Sequence, residues 1–139
     1  MSVPVIAPAV ISAKSRRTAR AVAVATAALA ALVVWAIAGP VAGVDFTVTR
    51  SGKASEVGAG TVLATVLIAS LLGWALLAVL ERVTSRPRRI WVMTALAVLV
   101  LSLVMPFGSE MSAAARAVLL SLHVVVGAVI IPLFARTSR

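Results

Sequence analysis

Four long apolar runs govern what this chain can become. They occupy residues 21–38, 58–80, 90–105 and 113–134; the first three carry no charge and the last is broken only by Arg116. An α-helix rises about 1.5 Å per residue, so about 20 residues cross the ~30 Å hydrocarbon core of a bilayer. A chain of 139 residues is too short to bury four such runs inside a water-soluble globule. Its charged fraction, 12%, is about half that of ordinary soluble domains, and its mean hydropathy is +1.13. The expected solvent is lipid.

The punctuation of these runs sets the expected elements. Residues 1–18 read as a basic cytoplasmic tail holding Lys14, Arg16 and Arg17, and helix one as 19–39, with Arg20 at its start and Gly39-Pro40 at its end. Helix two is expected over 58–81, closed by Glu81-Arg82. Helix three is expected over 87–105, with Pro87 in the first turn, where a missing N–H is tolerated. Helix four is expected over 112–134, N-capped by Ser109 or Ser112. Residues 136–139 would form a short cytoplasmic C-terminus, and 19–135 one four-helix transmembrane domain. In the outer loop, 40–57, Val44, Phe46 and Val48 alternate with Asp45, Thr47 and Thr49, and Ser51-Gly52 is a turn signal. A short extracytoplasmic β-hairpin is therefore expected between helices one and two, packed on the helix ends because two strands alone are barely stable. The fold class is an all-α membrane bundle with that hairpin as its outer ornament.

Orientation follows the distribution of Lys and Arg. The tail, the connection between helices two and three, and the C-terminus hold ten of the 13, including Arg82, Arg86, Arg88 and Arg89. The opposite side holds Arg50, Lys53 and Arg116. Both termini are expected in the cytoplasm of a bacterial cell whose plasma membrane the chain crosses four times. A cleaved signal sequence is the weaker alternative, because the apolar core of helix one exceeds a signal h-region. The net charge of +9 is spread between hydrophobic runs rather than gathered on a solvated arm. It points to the bilayer and its anionic headgroups as partners, and away from nucleic acid.

Chemistry-bearing residues are few. His123, the sole histidine, falls near the middle of helix four, where an ionisable group is a functional candidate by default. It could relay protons or bind a ligand; the plainer alternative is a neutral imidazole giving an interhelical hydrogen bond to Ser70, Thr94 or Ser102. Glu81 adjoins Arg82 and could belong to a headgroup site or to a solvated ion-pair cluster. Arg116 lies on the Arg-poor side and could be neutralised by Glu110, Glu56 or Asp45, locking the hairpin to helix four. Ala19, Ala23, Ala27 and Ala31 form a small-residue seam, as do Ala69 with Gly73 and Ala113, Ala117 with Ser121. These suit helix packing within the bundle or a homo-oligomer contact. Trp35 and Trp91 suit interface anchoring, and Trp74 packing against a neighbouring helix. With no Cys, one His and no nucleotide or zinc motif, no catalytic residue, metal site or cofactor is expected.

The order of these features, from the Arg-rich entry to helix one through Ala42-Gly43-Val44-Asp45, Gly73-Trp74, Leu80-Glu81-Arg82, Leu122-His123, Gly127 and Ile131-Pro132, resembles an uncharacterised family of small four-helix membrane proteins common in actinobacteria. The resemblance spans about Arg16 to Arg136. It implies fold and location, carries no activity, and marks Asp45, Glu81 and His123. The expected role is a non-enzymatic accessory or structural membrane protein, with a membrane-protein partner or a second copy as possible company. A small transporter or channel component using His123 is the first alternative, and a membrane enzyme acting on lipid the second.

Overall fold

The computed structural model describes residues 12–138. Among these, four helices are long and apolar enough to cross a membrane, and the chain is a multi-pass membrane protein. α1 spans Ala13–Ala36, α2 Ala59–Val83, α3 Pro87–Val104 and α4 Ala113–Thr137. The hairpin strands are β1, Thr47–Arg50, and β2, Lys53–Glu56. Helices α1 and α4 begin at serine N-caps: the hydroxyls of Ser12 and Ser112 accept from the backbone N–H groups of Ser15 and Ala115. Pro87 opens α3 as expected.

Three boundaries differ from the sequence expectation by three residues or more. Helix one starts six residues earlier, at Ala13, so that Lys14, Arg16 and Arg17 are helical rather than part of a loose tail; the part of that tail before residue 12 lies outside the described residues. At its far end the α-helix yields at Ala36 to a π-helical turn, Ile37–Val41, that contains Pro40. Proline has no N–H to give and its ring crowds the carbonyl four residues back, so a wider turn accommodates it. Gly43, at φ +70°, then turns the chain away. Helix four continues past Pro132 and 134 to Thr137.

The core is built on the alanine seam of α1. Ala23, Ala27 and Ala31 are 0–1% exposed, and α1 packs chiefly on α4 and then on α2. Without Cβ branches the backbones approach closely, which maximises dispersion contacts where lipid offers no hydrophobic gain. Ala19 lies on the surface, as do Ala69 and the helix-four triplet Ala113, Ala117 and Ser121, so packing within the bundle accounts for the seam of α1 and not for that of helix four. Trp91 departs from the interfacial role expected of it. It is 3% exposed, its ring lies 5.5 Å from that of Phe134, and its Nε1 donates to the Ile131 carbonyl at 3.3 Å. Gly73 admits it: a Cβ there would stand 3.0 Å from the indole. Trp35 donates to the Val57 carbonyl and stacks on Phe46, fastening the hairpin approach to α1.

The hairpin forms at the expected place, with Arg50 opposite Lys53 and Ser51-Gly52 both at positive φ, the geometry of a type I′ turn. It is tied to the loop before α4 by a reciprocal pair of backbone hydrogen bonds between Thr49 and Glu110. The salt bridge expected of Arg116 is replaced by other contacts. Its guanidinium donates to the Pro106 carbonyl at 3.3 Å and lies over the Phe107 ring. Main-chain pairing, which needs no side-chain ordering, holds the hairpin instead.

Candidate functional site

Two polar assemblies stand out, one at each level of the bundle. The first lies at the end where α1 begins and α4 finishes. Arg20 is 4% exposed; its Nη2 donates to Glu81 Oε1 at 2.8 Å, and it donates to the Thr137 hydroxyl at 2.9 Å and the Thr137 carbonyl at 3.1 Å. The Thr137 hydroxyl in turn donates to Phe134 O. One guanidinium thus joins α1, α2 and α4, and its fork geometry suits several acceptors at once. Glu81 is engaged by Arg20, whereas its sequence neighbour Arg82 is exposed. Sequence reasoning counted Arg20 among the topology charges and missed this role. The signal was available: Arg20 interrupts an otherwise apolar face, and Glu81 is the only acid inside a helix.

The second assembly is a groove of about 520 Å³ with walls from α2 and α3 and a floor from α4. α2 and α3 pack on each other less than α1 does on its neighbours, and they are clasped by Trp91 against Gly73. Beyond that clasp the trough extends as far as Val57 and Ser102. Its lining is apolar apart from the hydroxyls of Thr61, Thr65, Ser70, Thr94 and Ser102, the Trp91 ring N–H and the imidazole of His123; no charged side chain lines it.

The helices can be set in register by their contacts. Leu99 of α3 packs where a Cβ on Gly127 of α4 would lie, so Ser102 and His123, three and four residues further toward the hairpin, are at about one level. Glu81 and Thr137 share Arg20; counted back from them, Ser70 lies about one turn deeper than His123. The expected interhelical hydrogen bond from His123 does not form. Its Nδ1 pairs with its own helix, at the Leu119 carbonyl, 2.6 Å away. A carbonyl only accepts, so Nδ1 carries the proton, and in the neutral ring Nε2 is left as a bare acceptor.

Ser70 is the companion feature that sequence reasoning named only as a possible partner for His123. It is 2% exposed, and its Oγ is a buried side-chain polar atom with no hydrogen-bond partner among the described residues. Elsewhere in the helices Thr26 and Ser121 donate to the carbonyls four residues back, Val22 and Ala117. No such bond is made by Ser70.

Asp45 belongs to neither assembly. It accepts from the Thr47 hydroxyl at 2.7 Å and the Thr47 N–H at 2.9 Å, and these bonds, the hydroxyl first, hold its carboxyl below the ordinary 3.8. This is an Asx turn that starts the hairpin. At the start of α3, Arg86, Arg88 and Arg89 border a shallower depression of about 440 Å³.

Residues 11–139 match a family model described as "Family of unknown function (DUF6069)", and the chain belongs to that family. No curated protein and no solved structure matches it significantly.

Proposed function

We propose that this family member is a non-enzymatic accessory protein of the bacterial cytoplasmic membrane, with both termini in the cytoplasm, that works by holding another molecule in the groove between α2 and α3. The groove itself carries this reading. A bundle that served only as a spacer would gain from closing two helices over such a volume, since close packing is what holds helices together in lipid. Ligand sites of roughly 300–1,000 Å³ with a few polar groups in an apolar wall are the ordinary form of a small-molecule pocket.

The inward placement of the termini rests on the Lys/Arg asymmetry. With Arg20 buried in its ion pair, nine basic residues still stand against three. Arg86, Arg88 and Arg89 at the start of α3 are suited to anionic headgroups.

Photo-crosslinking in native membranes tests the proposal. A benzophenone side chain at Val98, in the groove, should yield a discrete adduct that the same group at the surface position Leu29 does not. Equal labelling from both positions would overturn it. The placement of His123 in the groove is the one observation that favours transport instead. A liposome flux abolished by His123→Ala would make that the better reading.

A further inference from the structure

Resting on the suitability of the α3 arginines for headgroups, and not on the groove, we infer that the start of α3 holds one lipid with a phosphate monoester headgroup. Its phosphate lies on Arg86, Arg88 and Arg89, and an acyl chain lies on Val92 and Met93. Charge balance comes first. The chain has four acidic residues. Asp45, Glu56 and Glu110 belong to the hairpin end, and α2 separates that end from the start of α3 by about 37 Å at the helical rise. Glu81, the fourth, is engaged by Arg20. Among the described residues the three arginines make no salt bridge, and all three are exposed. Their counter-charge has to come from outside the chain.

Placement comes second. Topology needs only the number of basic residues, and Arg17, Arg82 and Arg136 serve it from the exposed ends of the other helices. Arg86, Arg88 and Arg89 differ in lining one depression of about 440 Å³, together with Pro87, Val92 and Met93. The stretch is held in shape, because Pro87 is buried with its φ fixed and the Arg86 N–H donates to Thr84 Oγ1 at 3.2 Å. Val92 lies four residues beyond Arg88, about 6 Å further into the apolar layer. Guanidinium groups followed one turn later by apolar side chains match a lipid, headgroup then chain. A free anion would leave the apolar wall unused. The depression is shallow, but a lipid needs enclosing on one side only, since the bilayer surrounds the rest of it. Three forked donors within four residues suit one group rich in acceptors. A phosphate monoester brings three terminal oxygens and a charge of about −1.5 to −2 at pH 7, more than the single charge of a diester.

The test is native mass spectrometry of the full-length protein, titrated in mild detergent with lipids of matched oleoyl chains. Phosphatidate should bind at one per chain, and its second charge should make it about tenfold tighter than phosphatidylglycerol. Glycerol 3-phosphate, the headgroup without chains, should show no binding in equilibrium dialysis. Arg86→Gln, Arg88→Gln and Arg89→Gln combined should erase the preference for phosphatidate. The charge-matched combination of Arg17→Gln, Arg82→Gln and Arg136→Gln should keep it. The comparison of lipids on the wild-type protein needs no variant to fold. Equal loss in the two triple variants would overturn the site and leave a diffuse attraction of the whole basic end for headgroups. Phosphatidylglycerol or cardiolipin binding as tightly as phosphatidate would overturn the monoester. Glycerol 3-phosphate binding as tightly would overturn the lipid. The adduct at Val98 decides the groove separately, so neither proposal carries the other down.

Discussion

The two polar assemblies of this bundle are made of similar materials and are finished differently. At the Arg20 end the polar groups satisfy one another: guanidinium to carboxylate, guanidinium to hydroxyl and carbonyl, hydroxyl to carbonyl. In the groove, Ser70 donates to nothing and His123 spends only one nitrogen. Both lie in or near the apolar layer, where an unsatisfied group cannot turn to water. A closed network ties three helices into one body; beside the groove, two polar side chains are left only partly engaged. The difference separates what holds this protein together from what it offers.

The comparison breaks first, and hardest, at the ion pair. Glu81→Ala leaves Arg20 buried and uncompensated and should cost about 3–5 kcal/mol, read as a large fall in melting temperature in mild detergent. A double variant, Arg20→Met with Glu81→Leu, should recover most of that loss, since no charge is stranded. Gly73→Ala comes next. Its Cβ would stand 3.0 Å from an indole already pinned by Ile131 and Phe134, so crowding should outweigh the gain in helix propensity, for a net loss of about 1 kcal/mol. Gly127→Ala provides the contrast, because it meets the movable methyl groups of Leu99 and should be close to neutral.

Ser70→Ala should act in the opposite direction. Deleting a hydroxyl that has no partner removes a desolvation penalty, so the ligand-free protein should be stabilised by about 1 kcal/mol. Destabilisation on that exchange would mean that Ser70 has a structural partner, and the contrast between the assemblies would disappear. The smallest effect belongs to Asp45. Its carboxyl is held below 3.8 by Thr47, so its contribution to the hairpin is complete above that pH and is lost as pH falls through the lowered value. The protection of the Thr47–Arg50 amides, taken relative to their intrinsic exchange rate at each pH, should fall below pH 3.8 in the wild type. Asp45→Asn should flatten that response and leave the helices unaffected.

These expectations also mark how far reading residues can go. The alanine seam of helix one was legible because a period of four on a charge-free run places small side chains on one face. The same period in Ala113, Ala117 and Ser121 faces out of the bundle, since in lipid an outward apolar face costs nothing and periodicity does not say which neighbour it meets. Trp91 read as an interfacial anchor from its place near a helix end. It became a core residue because Gly73, on another helix, leaves room for an indole. Glu81 was legible as a residue of interest, but its partner lies 61 positions away, while Arg82 beside it points elsewhere.

What the sequence determined alone is whatever depends on runs along one chain: four spans, a hairpin with its turn at Ser51-Gly52, the proline at the head of α3, and the side on which basic residues collect. Hydrophobicity, turn chemistry and charge are properties of neighbours in sequence. Tertiary structure alone decided that Arg20 bridges three helices, that His123 turns to its own backbone, and that Ser70 lines an open trough. Those outcomes depend on the rotation and tilt of each helix about its axis. Lipid presents the same apolar surroundings on every side, so only contacts between the helices can set that rotation.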